Sequence, residues 1–264
     1  MSGAQPGNPP LSNGGSTELS GTVALVTGGA RNIGRAISLE LANAGAAVVV
    51  NALSSREAAE ETVRLIEANG GRAMVHVADV CSAHAVAAMV DAVVRRFGRL
   101  DFLVNNAAIR PNGELGAITP EEWQQVLAIC VDGPFLCTQA CLAHLKAAPA
   151  AAIVNLGGLT GRKGASKRAH VVTAKAALEG MTRALAHDLA GDGITVNCVV
   201  PGTIGTQRGL PGAPEHPRGR HATPIVGRLG EPAEVAAMVR MICGPGARYI
   251  TGQSIHVNGG GFMP

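Results

Sequence analysis

The chain has 264 residues, 47% of them apolar and only 2% aromatic, with 22 basic and 19 acidic side chains that leave a net charge of +3. That length suits one large α/β domain, or two small ones, with a core of aliphatic side chains. The weak net charge, with no dense basic run, argues against a nucleic-acid partner, and no uninterrupted apolar run of about 18 residues points to a membrane.

Residues 1–20 are rich in Gly, Pro, Ser and Asn and are expected to form a flexible tail. They lack a charged start followed by an apolar stretch, so no secretory signal is expected and the reading is cytoplasmic. Residues 21–264 are expected to form a single domain. VALVT (23–27), AAVVVN (46–51), RAMVHVA (72–78), DFLVNN (101–106), AAIVNLG (151–157), ITVNCVV (194–200) and QSIHVNG (253–259) read as strands. Between them, helical patterns cover 33–44, 56–69, 83–97, 120–147, 169–190 and 232–242. Ser54–Glu57 and Thr119–Glu122 both have capping-box form, the second with Pro at the first helical position. Nearly continuous apolar strands alternating with helices predict a doubly wound, Rossmann-type three-layer α/β sandwich of about seven parallel strands. Segment 201–230, rich in Pro, Gly and Arg, interrupts the pattern and is expected to be a substrate loop. Six cysteines without a CxxC pair read as reduced, mostly buried thiols rather than a metal site.

The first strand runs into TGGARNIG, a glycine-rich turn opening a helix. Such a turn lets backbone N–H groups approach a pyrophosphate. Gly28, Arg31, Asn32, Ile33 and Gly34 are therefore cofactor candidates. Asn32 stands where a third glycine would be, and asparagine tolerates left-handed φ better than other side chains. The second strand ends Asn51, Ala52, Leu53, with no acid to bind a ribose 2′-hydroxyl. Ser54, Arg56 and Arg31 suit a 2′-phosphate instead, so NADP(H) is favoured over NAD(H).

Further motifs follow in order: ADV with Asp79 and Val80, NNAA with Asn105 and Ala107, Lys175, PGTIGT with Pro201, Gly202 and Thr206, and YITGQSIHVNGG near the end. Together they resemble the short-chain dehydrogenase/reductase family, in the style of 3-oxoacyl-carrier-protein reductases, along nearly all of residues 20–261. The resemblance implies hydride transfer between a nicotinamide cofactor and a carbonyl or alcohol, a small-molecule substrate, and a homotetramer. It also implies an Asn–Ser–Tyr–Lys constellation in which Tyr is the acid/base, Ser holds the carbonyl, Asn supports a water chain, and Lys tunes the Tyr and holds ribose.

This chain departs from that constellation. The aligned positions are Cys130 for Asn, Gly158 for Ser and Val171 for Tyr, and only Lys175 remains. The expected site floor is apolar and roomier. Lys175 is the principal catalytic candidate. His170 is a further acid/base candidate, although it lies about 100° round the helix from the face shared by Val171 and Lys175. Thr160 is a candidate replacement hydroxyl, although it sits beyond the serine position, and Cys130 would be a nucleophile only with a lowered pKa. Lys163, Lys167, Arg168 and Arg110, with Arg208, His216, Arg218, Arg220 and His221 of the loop, would favour an anionic substrate. Three functions fit: an NADP(H)-dependent oxidoreductase with a non-standard proton relay, a non-redox hydrolase, lyase or isomerase in the same cleft, or an inactive binding subunit.

Overall fold

The computed structural model describes residues 17–206 and 224–263. Seven strands form one parallel sheet: β1 (Val23–Val26), β2 (Ala47–Ala52), β3 (Arg72–Val77), β4 (Phe102–Asn105), β5 (Ala152–Leu156), β6 (Thr195–Pro201) and β7 (Ser254–Val257). Their order across the sheet is β3-β2-β1-β4-β5-β6-β7. The register places Leu25 beside Val49 on one side and Leu103 on the other.

The alternation of strand side chains divides the core in two. Ala24, Val26, Val48 and Val50 face one side. There they meet α1 (Asn32–Asn43), α2 (Arg56–Ala68) and α8 (Pro232–Cys243) through Ile37, Leu41, Ile66, Val239 and Ile242. Leu25, Val49, Leu103 and Ile153 face the other, against α3 (Ala83–Phe97), α5 (Gly133–Ala147) and α7 (Ala169–Leu189), the last preceded by the single-turn α6 (Thr160–Lys163). A strand buried on both faces needs apolar residues at consecutive positions, which is why these strands read as unbroken apolar runs.

α4 (Pro120–Leu127) joins α5 through a single π-type turn at Ala128–Asp132. Pro134 explains it: the ring has no N–H and collides with the carbonyl four residues back, that of Cys130. The Gly133 N–H instead donates to the Ala128 carbonyl, five residues back. The continuous run Pro120–Ala147, 28 residues long, passes the length and composition test for a membrane span, which the sequence reading did not anticipate. Its apolar character has a place here, because Cys137, Cys141 and Leu145 pack under the sheet.

Three local expectations change. Residues 18–20, assigned to the tail, are part of the folded body: Leu19 is buried, its N–H donates to the Ala44 carbonyl, and Arg240 pairs with Glu18. Residues 1–16 lie outside the described residues. Ser55 caps α2 without a side-chain hydrogen bond, so no capping box forms at Ser54–Glu57. Thr119 Oγ1 does accept from the Glu122 N–H, but the reciprocal pair is found at Glu231 and Glu234, opening α8.

Candidate active site

The strand order reverses at β1 and β4, and a crevice opens beyond their carboxyl ends, where doubly wound sheets bind ligands. A cavity of about 240 Å³ lies there. Its wall joins the glycine turn (Gly28, Arg31, Asn32, Ile33, Gly34), the segment after β4 (Asn106, Ala107, Ala108, Arg110), the end of β5 (Leu156, Gly157, Gly158), Lys175 of α7, and Pro201, Gly202, Ile204 and Thr206.

The glycine turn has two conformational demands. Gly28 and Asn32 both have positive φ, +61° and +50°, so asparagine does take the left-handed position. A Cβ on Gly34 would lie 2.1 Å from the Gly28 carbonyl oxygen, so only glycine closes this turn. The Arg31 side chain makes no capping bond and no acid sits in the first turn of α1. The amino end of a twelve-residue helix therefore points its amides into the crevice without a protein anion to satisfy them. Among the described residues no carboxylate lines the cavity. This wall fits a dinucleotide, with amides for its pyrophosphate.

Buried polar side chains hold the wall in place. Thr27 Oγ1 accepts from the Asn106 and Ala107 N–H groups at 3.0 and 3.1 Å. Asn106 Nδ2 donates back to the carbonyls of Thr27 and Gly28. Asn51 ends β2 with its side chain turned inward: Oδ1 accepts from the Gly28 N–H at 3.3 Å and Nδ2 donates to the Ala78 carbonyl at 3.0 Å. Below, Asn105 Nδ2 donates to Asn155 Oδ1, and Asn155 Nδ2 donates to Thr182 Oγ1, each at 2.9 Å. This ladder ties β4, β5 and α7 together under the floor.

Lys175 is buried, and its Nζ donates to the Leu156 carbonyl at 2.6 Å. Burial lowers its pKa from the ordinary lysine value. The atoms nearest a Cβ on Gly158 would be those of the lysine stem, at 3.5 Å from Cγ, an ordinary contact. The glycine thus leaves room beside the lysine stem. Val171 does not open that floor further. It is 1% exposed and packs with Val126, Cys130 and Ala174, so two of the substituted positions close on each other as an apolar cluster outside the cavity wall. Cys130 Sγ lies 3.7 Å from the Ile109 carbonyl.

His170 does not join the cavity. It is fully buried; its Nδ1 accepts from the Val171 N–H at 3.0 Å, which leaves Nε2 to donate to Glu122 Oε1 at 3.1 Å. Both nitrogens are committed to anchoring the start of α7 on α4, and the acid/base reading of His170 is not carried forward. Ser54 and Arg56 are exposed past the end of β2, outside the cavity wall, and Arg56 pairs with Glu60 one helical turn on. Asp79 is exposed and its Oδ1 accepts from the Cys81 N–H; Val80 is buried and Asn105 belongs to the ladder. Lys167 pairs with Glu114, and Arg168 donates to Asn112 Oδ1. Arg208, His216, Arg218, Arg220 and His221 lie outside the described residues. The only tyrosine, Tyr249, is fully exposed and remote from the cavity wall. Thr27, Asn51, Asn106, Asn155 and Thr182 escaped the sequence reading as site supports. For Thr27, Asn51, Asn106 and Asn155 the one signal was asparagine or threonine at or near the ends of otherwise apolar strands; Thr182, inside α7, gave none.

The family model described as enoyl-(acyl carrier protein) reductase matches residues 28–261. A 3-oxoacyl-acyl-carrier-protein reductase of Synechocystis is 38% identical over 253 residues, 94% of this chain and 99% of that protein. A Staphylococcus aureus 3-oxoacyl-acyl-carrier-protein reductase is 39% identical, over 91% of this chain and 98% of its own. Among solved structures, a Burkholderia cenocepacia short-chain dehydrogenase in complex with NADP superposes with a TM-score of 0.87 at 36% identity, covering 92% of this chain and 99% of that one. A blue fluorescent protein from a metagenomic library, in complex with NADPH, gives 0.86 at 36% identity over 93% of this chain and all of that one.

Proposed function

The chain belongs to the short-chain dehydrogenase/reductase family of nicotinamide-dependent oxidoreductases, and from that premise we propose that it is an NADP(H)-dependent oxidoreductase of a small carbonyl or alcohol whose proton relay runs through Lys175 alone. The observation that carries this reading is the single wall that joins the uncapped amino end of α1, Arg31, Lys175 and Pro201–Thr206 without a carboxylate. NADP(H), when bound, supplies or takes up the hydride. The α1 amides hold its pyrophosphate, and Arg31 offers a guanidinium to a 2′-phosphate. Lys175 is the titratable side chain on the described wall whose proton is exchangeable, since arginine does not deprotonate in proteins. One of its N–H bonds is spent on the Leu156 carbonyl. The others remain for a substrate in the cavity, where the ammonium would donate a proton to the carbonyl oxygen as it is reduced and recover one from water.

The test is a titration of the purified protein with NADPH and with NADH, followed by nicotinamide fluorescence. NADPH binding several-fold tighter than NADH is expected, and so is consumption of NADPH with some member of a small-ketone panel, abolished in Lys175→Ala. Binding of neither nucleotide overturns the reading.

One observation favours a second reading, a cofactor-binding subunit without redox turnover: Val171 and Cys130 are sealed against each other where the family keeps polar groups. NADPH binding with no turnover across the panel, together with co-purification of an active family member, would replace the first reading with this one.

A further inference from the structure

We propose that the Lys175 end of the cavity is built for a substrate carboxylate, with Arg110 as its anchor; the inference rests on the oxidoreductase reading and adds the substrate class. Arg110 lines the same wall as Lys175. It follows NNAA and precedes Pro111, which restricts residue 110 to extended backbone. Three contacts strap this loop to the start of α7. The Gly113 N–H donates to the Lys167 carbonyl at 2.9 Å, Arg168 Nε donates to Asn112 Oδ1, and Lys167 pairs with Glu114. The guanidinium is thus carried on a fixed loop rather than a swinging one.

The neighbouring acids are already used. Glu114 pairs with Lys167 and Glu122 accepts from His170. Among the described residues, Arg110 has neither a hydrogen bond nor an ion pair. Its side chain is exposed to solvent, yet enough protein surrounds the guanidinium to desolvate it in part. That crowding, and then the charge of Arg168, lowers its pKa from the ordinary arginine value. Arg110 and Lys175 share one wall with Arg31, no carboxylate among the described residues lines it, and the cations repel one another until an anion arrives. The planar fork of one guanidinium matches a carboxylate bidentately. The phosphate-binding element, the amino end of α1, belongs to a different segment of the wall. Gly158 leaves the room beside Lys175 in which the oxo group of such a substrate would sit.

The test uses the full chain saturated with NADP⁺ and three small keto acids (2-oxobutanoate, acetoacetate and 4-oxopentanoate), each against its methyl ester, by calorimetric titration. At least one acid is expected to bind tenfold or more tighter than its ester. That margin should shrink as salt rises and should fall below threefold in Arg110→Gln, with Arg110→Lys intermediate. Equal binding of every acid and ester overturns the proposal on the unmodified protein, whatever the fate of the variants. Tighter binding of methyl phosphate than of any keto acid overturns the carboxylate assignment. The nucleotide titration runs alongside. NADPH binding with no acid preference removes only the anion site. Acid preference in a chain that binds no nucleotide removes the oxidoreductase reading and leaves the anion site standing.

Discussion

Putting the missing hydroxyls back tests how much of the machinery the chain retains. Gly158→Ser places a Cβ 3.5 Å from Lys175 Cγ and 3.8 Å from Cε, with no backbone in the way. Gly158 is not among the positive-φ glycines, so a side chain there is expected to be neutral or to stabilise by about 0.4–1 kcal/mol through the unfolded chain. Val171→Tyr is different. Val171 is 1% exposed among Val126, Cys130 and Ala174, so a ring there overpacks the cluster unless it swings to the cavity, at a cost of roughly 1–3 kcal/mol. The double variant is therefore expected to lose about 0–3 kcal/mol, or a melting temperature lowered by no more than about 10 °C for a chain of this size. Against that stands the catalytic gain. A positioned proton donor contributes about 10²–10⁴-fold, which is about 3–5 kcal/mol of barrier. The assay is NADPH consumption with the ketone panel, with nucleotide titration and thermal unfolding on the same preparation. A gain of about a hundredfold or more is expected. A folded, NADPH-binding double variant with no gain over the parent refutes the argument that only the proton relay has changed.

Gly34→Ala forces a Cβ to 2.1 Å from the Gly28 carbonyl; the turn must open, with destabilisation of about 1–3 kcal/mol or more and loss of NADPH binding in the fluorescence titration. His170→Ala strips the partner from the Val171 N–H and from Glu122, and an expected loss of about 1–3 kcal/mol by denaturant titration should come with little change in NADPH affinity; a selective loss of turnover without loss of stability would restore His170 to the chemistry. Glu234 accepts two bonds from Arg228 and one from the Glu231 N–H, and its pKa is lowered to about 2, by the Arg228 bond first. A carboxylate with a depressed folded-state pKa contributes stability that is present above the unfolded value, 4.5, and lost as pH falls towards about 2. The pair is part-exposed, so its worth is under about 1 kcal/mol; the stability gap between the parent and Glu234→Gln should close between those two pH values, and a gap that persists at the acid end would contradict the assignment.

The strands could be read from the sequence because a parallel sheet covered on both faces demands apolar residues at consecutive positions, as in VALV of β1 and AVVV of β2. The turn at Gly28–Gly34 was legible for a similarly local reason: left-handed φ and close backbone approach admit few residue types. The loss of the family's hydroxyls was also plain, since it is a matter of residue identity at positions counted from Lys175. The sequence could not say where the substituted side chains point. Val171 and His170 are adjacent, yet what each does is set by partners 45 and 48 residues away, Val126 and Glu122, brought in by α4. The same holds for Asn51, whose use as a clamp on Gly28 and Ala78 depends on three strands lying side by side. Arg110, one of several basic candidates in the sequence, stood out from the rest only once the fold had matched Glu114 to Lys167 and Glu122 to His170. Periodicity and backbone strain are local and survive in the sequence. Charge pairing and the apolar sealing of a cavity wall depend on distances across the chain, and these exist only once it has folded.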